Sequence, residues 1–287
     1  MDRERARYHR TMRLDFVKMH GLGNDFIVFD AATPESVPSA KQLRALANRH
    51  TGIGFDQALV LGAPRVPDTV AYYRIFNADG REVEQCGNGA RCLAALLAAR
   101  LGLGPGELVL DSPAGRVRAR VRANGLVSVA MGVPAFAPSA VPFIADAEAP
   151  GYALEAAGES LDIGAVSIGN PHAVIRVPSV AAAPVDRLGP AVENHPRFPR
   201  RTNVEFLEIV TRQHVRLRVH ERGVGETQAC GTGACGAVAV GRQRGWLDPK
   251  VEVDVPGGRL AVEWQSVDAQ IWLTGPTATV FEGHTDL

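Results

Sequence analysis

Alternation of polar and apolar residues dominates this chain. Arg116-Val117-Arg118-Ala119-Arg120-Val121 and Val215-Arg216-Leu217-Arg218-Val219 keep a period of two throughout. That period marks an antiparallel strand with one face on a core and the other in water. After a first strand over 13–18, β-rich runs bounded by Gly, Pro, Asn or Asp predict strands at 25–30, 58–61, 70–76, 107–111, 117–121 and 127–131. A second series is predicted at 172–177, 203–210, 214–220, 251–255, 260–264 and 270–274. Residues 93–101 and 237–240 depart from this pattern, because they are apolar on nearly every face. A helix of that kind must be enclosed, and Gly102 and Gly245 are placed to end the two. Residues 39–50 and 185–193 read as amphipathic outer helices, the second interrupted by Gly189 and Pro190.

These elements predict an α+β fold of two pseudo-symmetric halves, each a curved, mainly antiparallel sheet wrapped around a central helix. Pro134, Pro138, Pro142 and Pro150 lie among small residues and suit a crossing between the halves. The expected division is an N-terminal extension at 1–12, a first half at 13–131 joined by 276–287, and a second half at 132–275. Arg3, Arg5, Arg7 and Arg10 precede no apolar run, so the start does not read as a secretory signal. Nor does any stretch reach the roughly 18 apolar residues of a membrane span.

The chain has 287 residues, 46% of them hydrophobic, with Lys+Arg 31 against Asp+Glu 31. A zero formal charge supplies no field for nucleic acid or an anionic membrane, which leaves a small-molecule ligand as the expected partner. Four cysteines are too few for a disulfide framework and point to a reducing, cytoplasmic setting.

Those cysteines lie in near-duplicate segments half a chain apart, Cys86-Gly87-Asn88-Gly89-Ala90-Arg91-Cys92 and Cys230-Gly231-Thr232-Gly233-Ala234-Cys235. Each places a thiol ahead of a Gly-rich turn and a helix, where unpaired N–H groups and the helix dipole favour a thiolate. Two such thiols, Cys86 and Cys230, would converge on the cleft between the halves. One could take a proton from a carbon while the other returns one on the opposite face, inverting the stereocentre. Backbone N–H groups at Gly87-Asn88 and Gly231-Thr232 would hold the neighbouring carboxylate. Cys92 and Cys235, one turn into the helices, read as buried packing residues.

Competing readings are a structural zinc site and a redox pair. The cysteine intervals suit zinc poorly and no Cys-x-x-Cys occurs. A pyridoxal cofactor needs a Schiff-base lysine, and Lys18, Lys41 and Lys250 lie in no phosphate-cradling context, so no cofactor and no metal are expected. Asn24, Gln57, Asn77, Asn170, Asn203, Glu221 and Arg222 all sit at strand ends. Together they would suit a zwitterion, Arg222 clamping a carboxylate, Glu221 taking an ammonium and the amides serving either. His172, beside Asn170, could orient or deprotonate a thiol.

The strings MHGLGNDF (19–26), GFDQ (54–57), FNADG (76–80), EVEQCGNGARC (82–92), GNPH (169–172) and ERGVGETQACGTGACGAVAVG (221–241) resemble those of diaminopimelate epimerases, in order and suitably spaced. The resemblance implies cofactor-independent interconversion of LL- and meso-diaminopimelate, in lysine and peptidoglycan precursor synthesis, by a homodimer. It implies Cys86 and Cys230 as the acid/base pair, with His172 and Glu221 assisting. Substrate would meet Asn24, Gln57, Asn77, Gly87, Asn88, Asn170, Asn203, Glu221, Arg222, Gly231 and Thr232. Thr232 stands where serine is also common and keeps a hydroxyl for capping, and His220 stands where tyrosine is frequent. A related proline or hydroxyproline racemase is the alternative enzyme reading. Glu221 and Arg222 argue against it, since a proline ring has no second charged head to engage them.

Overall fold

The computed structural model describes residues 13–31, 33, 36–83 and 86–287. The extension expected at 1–12 lies outside the described residues. The first series of elements is β1 (Arg13–Gly21), β2 (Asn24–Asp30), α1 (Ala40–Ala47), β3 (Gln57–Gly62), β4 (Tyr72–Asn77), β5 (Glu82–Val83), α2 (Gly87–Arg100), β6 (Gly106–Ser112), β7 (Gly115–Val121) and β8 (Val127–Ala130). The second is β9 (Tyr152–Ala156), β10 (Glu159–Ser167), β11 (Pro171–Arg176), α3 (Val185–Glu193), β12 (Asn203–Thr211), β13 (His214–Glu221), β14 (Gly225–Thr227), α4 (Gly231–Gln243), β15 (Lys250–Val255), β16 (Gly258–Glu263) and β17 (Trp272–Gly275), with β18 (Ala278–Asp286) at the end.

The pairing repeats almost strand for strand. β1–β2 and β10–β11 are antiparallel hairpins, and β2–β3 and β11–β12 are parallel. The antiparallel pairs β3–β4 and β12–β13 follow, then the meanders β6-β7-β8 and β15-β16-β17. β18 lies against β1 as β9 lies against β10. β8 pairs with β17, which makes the two sheets continuous. The fold is the α+β arrangement expected, with α2 packed in one sheet and α4 in the other.

Five strands fall where the residue pattern predicted none: β9, β10, β18 and the two- and three-residue strands β5 and β14. Tyr152-Ala153-Leu154-Glu155-Ala156 is made of helix formers apart from its tyrosine, yet it alternates buried and exposed residues as a sheet strand does. The last five residues of β10 are buried, so no polar alternation marks its end. β18 is largely exposed and carries no apolar phase.

The central helices owe their enclosure to composition. α2 buries every residue from Gly87 to Leu97 except Ala95, and α4 buries Gly231 and every residue from Gly233 to Gly241. Both end in the same way. Gly102 (φ 64) and Gly245 (φ 73) take the left-handed conformation. The next N–H then turns back to a carbonyl of the last turn, Leu103 to Ala98 and Trp246 to Gly241, at 2.9 and 2.8 Å. Ser39 caps α1 with Gln42 in a reciprocal capping box, and α3 runs through Gly189 and Pro190. Close approach of α4 to β10 requires Gly164, where a Cβ would stand 2.3 Å from Val240 Cγ1.

Cys92 and Cys235 are fully buried. Burial penalises their thiolates, pushing Cys92 up to about 12 and Cys235 well above the ordinary thiol range.

Gly164→Ala is expected to destabilise the protein by about 1–3 kcal/mol through overpacking against Val240, measured by chemical denaturation. The buried thiols set a pH dependence. An unfolded thiol ionises near pH 8.5 while the folded Cys92 holds its proton, so the unfolded chain binds fewer protons above about pH 8.5 and stability falls as pH rises. The unfolding free energy is expected to decline between about pH 8.5 and 11, and Cys92→Ala to make that decline shallower. An unchanged slope in the variant would refute the assignment.

Candidate active site

α2 and α4 begin against each other. A Cβ on Gly87 would stand 3.4 Å from Leu273 Cδ2, and one on Gly231 2.9 Å from the same methyl. Asn88 spans the junction, its Nδ2 donating to the Ala229 carbonyl at 3.1 Å and to Asn24 Oδ1 at 3.2 Å. A Cβ at Gly87 would also stand 2.8 Å from the Met131 thioether, which would have to move aside.

A sulfur caps each helix. Cys86 (φ −145°, ψ 110°) and Cys230 (φ −100°, ψ 112°) are extended N-cap residues. Their sulfurs accept from the N–H of Gly89 at 3.5 Å and of Gly233 at 3.3 Å. Among the described residues, the N–H groups of Gly87, Asn88, Gly231 and Thr232 have no backbone partner outside their own helix. They are the ordinary orphans of a helix start, available to an anion. Thr232 does not cap the helix as the sequence suggested. It sits two residues inside, its Oγ1 3.5 Å from Cys230 Sγ, because the larger sulfur has taken the capping position.

Burial also overturns the expected acidity of these thiols. Desolvation pushes Cys86 up to about 11 and Cys230 well above the usual thiol range. Helix ends and single hydrogen bonds lower a thiol only modestly, so desolvation dominates in this enclosed cleft. Glu221 adds to the rise at both sulfurs. Its own carboxyl is raised by burial and accepts from Thr227 Oγ1 at 2.5 Å. Arg91 opposes the rise at Cys86. This fully buried guanidinium donates through Nη2 to Asn88 Oδ1 at 2.9 Å, lies against Gly21 and Gly275, and has no partner for Nε or Nη1 among the described residues.

Each sulfur has an asparagine from the turn of its first hairpin. The Cys86 thiol points at Asn24 Oδ1 (3.9 Å), and Asn24 Nδ2 donates to Asp56 (2.9 Å). Asp56 and Asp25 are drawn together by Arg49, while Asp25 also pairs with Lys18 at 2.5 Å. The two cations hold the Asp25 carboxyl far below the usual range despite its burial. In the second half, Asn170 Nδ2 donates to Thr232 Oγ1 at 3.4 Å. His172 is fully buried, with Nε2 2.8 Å from Asn170 Oδ1 and Nδ1 2.6 Å from Glu205 Oε1. Both ring nitrogens are engaged, so His172 orients Asn170 and has no free nitrogen to accept a thiol proton.

The remaining residues singled out in the sequence form separate pairs. Gln57 Nε2 donates to Asn77 Oδ1 at 2.9 Å, and Gln57 Oε1 is buried with no partner among the described residues. Asn203 Oδ1 accepts from the Arg222 backbone at 2.9 Å, and Arg222 Nη1 donates to the Arg200 carbonyl at 3.1 Å. Among the described residues, no hydrogen bond ties either pair to a sulfur. The Glu221–Gly223 turn is held by Glu193 of α3, which bonds the Gly223 N–H at 2.8 Å, His220 Nε2 at 2.9 Å and Arg201 at 3.0 Å. Sequence reasoning missed Glu193, Glu205, Asp56, Arg49 and Arg91. Glu205 left no signal, since Asn203-Val204-Glu205-Phe206 alternates as a strand with its polar residues outward would. Among the described residues, no three His, Cys, Asp or Glu side chains are placed to share a metal ion.

The sequence profile described as diaminopimelate epimerase matches residues 16–137 and 164–280. The diaminopimelate epimerase of Stutzerimonas stutzeri is 48% identical over 276 residues, spanning 96% of this chain and all of that protein. That of Alkalilimnicola ehrlichii is 51% identical over 279 residues, with the same coverage. Among solved structures, a hydroxyproline epimerase from Agrobacterium vitis superposes with a TM-score of 0.70 at 18% identity, covering 98% of this chain and 94% of that one. A Bacillus anthracis protein of the PhzF phenazine biosynthesis family superposes at 0.67 and 18%, covering 96% and 99%, and both likenesses bear on the fold alone. On the profile match and the full-length relatives, the chain belongs to the diaminopimelate epimerase family.

Proposed function

We propose that the protein interconverts LL- and meso-2,6-diaminopimelate without a cofactor, and so serves lysine and peptidoglycan precursor synthesis. The observation that carries this reading is the pair of sulfur-capped helix starts meeting at Leu273 in a full-length member of this family. The reacting carbon lies between the sulfurs. One thiolate takes its proton, leaving the electron pair on carbon and the adjoining carboxylate. The opposite thiol returns a proton to the other face and becomes the thiolate, so the protein ends with its proton count unchanged and the two sulfurs exchanged in role.

The free N–H groups of Gly87, Asn88, Gly231 and Thr232 receive the carboxylate and hold the charge that develops on it. With both thiols raised in the free protein, ionisation of one accompanies binding, when the substrate ammonium brings positive charge into the cleft. Glu221 and Arg222 engage the distal amino-acid head, with Asn24, Asn77, Asn170 and Asn203 as amide partners. Gln57 Oε1, buried and unpaired among the described residues, is suited to accept from an ammonium. His172 and Asn170 support Cys230.

The working unit has halves at 13–131 with 276–287 and at 132–275. It acts in the cytoplasm as a homodimer, a reading supported by four free cysteines and by Val280 and Phe281 exposed on the edge strand β18. No helix of the described residues is long and apolar enough to cross a membrane.

Purified protein is expected to epimerise meso-diaminopimelate, and Cys86→Ala and Cys230→Ala each to lose activity by about 10²–10⁴-fold. In deuterated water, label should enter the inverted product far faster than the recovered substrate. Equal early labelling of both pools would show one base serving both faces and overturn the mechanism.

A further inference from the structure

The two halves are matched in backbone but not in the side chains behind their sulfurs. Register aligns Phe26 opposite Gln57 on the parallel pair β2–β3, and His172 opposite Asn203 on β11–β12. Two residues further along the partner strand stand Leu59 and Glu205. Phe26 and Leu59 are fully buried, and both press on Gly89, whose N–H caps onto Cys86 Sγ. Glu205 takes the equivalent place at Gly233, whose N–H caps onto Cys230 Sγ. A Cβ at Gly233 would lie 3.0 Å from Glu205 Oε1 and 3.2 Å from Cys230 Sγ. An apolar pair supports one sulfur, and an ionisable pair the other.

The bonds around Glu205 have a direction. Asn170 Oδ1 can only accept, so His172 Nε2 carries a hydrogen. One further proton lies in the 2.6 Å contact between His172 Nδ1 and Glu205 Oε1. Whichever atom holds it, the pair has no net charge, and the tautomer is fixed. Asn170 must then present Nδ2 to Thr232 Oγ1, which leaves the threonine hydroxyl hydrogen for Cys230 Sγ at 3.5 Å. From His172 Nε2 onward, each donor points towards that sulfur. At Cys86 the polarity is reversed, for Asn24 turns its oxygen to the thiol. Among the described residues Glu205 Oε2 is buried without a partner, and a carboxyl kept there at that cost has a use beyond filling space.

We propose that Glu205 is a positioning residue for Cys230: by fixing His172 and Asn170 it makes the Thr232 hydroxyl a donor to that sulfur and renders the two thiols inequivalent. This rests on the two-thiol reading above. The inequivalence belongs to the free protein, so labelling detects it without turnover.

The test is carbamidomethylation by iodoacetamide at pH 8, with the rates at Cys86 and Cys230 resolved by peptide mass spectrometry. Glu205→Ala is expected to slow labelling of Cys230 about tenfold, the loss of one oriented donor to a thiolate, and to leave Cys86 within about twofold. Glu205→Gln, whose amide can donate to His172 Nδ1 and keep the tautomer, should restore the Cys230 rate. Thr232→Val, which removes only the last donor, should reproduce the slowing and carries the test if Glu205→Ala does not fold. Wild-type labelling in Glu205→Ala and Thr232→Val, equal slowing at both cysteines, or a Glu205→Gln protein as slow as Glu205→Ala would each overturn the proposal. Full activity in Cys86→Ala and Cys230→Ala would instead refute the two-thiol reading and leave the labelling result standing.

Discussion

Everything at this site depends on two α-helices beginning at the same place. Helix starts carry unsatisfied N–H groups and partial positive charge, so bringing two together is unfavourable unless something anionic or polar lies between them. The protein meets that constraint with a sulfur at each N-cap, with Asn88 bridging to the Ala229 carbonyl, and with glycines that allow contact at Leu273. What remains is a cluster of free donors around a small space, complementary to a carboxylate. The sheets pack closely around the helices, leaving Cys230 buried and Cys86 half-buried. This is why both sulfurs lie above the ordinary thiol range despite their helix ends.

Pseudo-symmetry supplies the matching positions, and departures from it supply chemical difference. Arg91 is a buried cation in the first half, and the matching position after Cys230 is Cys235. His172 and Glu205 form a buried polar pair in the second half, where the first has Phe26 and Leu59. Buried ionisable groups generally weaken a fold unless fully bonded, and among the described residues Arg91 and Glu205 both retain unpaired atoms. Their positions, one beside each capped turn, indicate that stability is given up where the electrostatics of the sulfurs are set. A thiol pair with identical surroundings would have nothing to distinguish donor from acceptor before a substrate arrives.

Much of this was legible in the sequence because it rests on hydrophobic periodicity. Strands such as Gly115–Val121 and His214–Glu221 alternate strictly, and the two central helices are apolar on all sides. β9 was not legible, since Ala, Leu and Glu carry a helical preference that sheet pairing overrides. The sulfur caps could be read because a cysteine ahead of a Gly-rich turn has few other uses. The partners of the capped turns could not. Glu205 lies between Val204 and Phe206 and reads as the outward residue of an alternating strand, yet the first five residues of β12 are buried and its carboxyl faces α4. Thr232 looked like a cap because threonine usually is one, and a neighbouring sulfur had already filled that place. The acidity of the thiols was misjudged for a related reason, since a dipole is visible in a motif and desolvation is visible only in a fold.

The most direct measurement is a crystal structure of the protein with diaminopimelate bound. The account predicts Cys86 Sγ and Cys230 Sγ in contact with one α-carbon from opposite faces, its carboxylate on the N–H groups of Gly87, Asn88, Gly231 and Thr232. Both sulfurs on one face of that carbon, or either sulfur out of contact with it, would contradict the account.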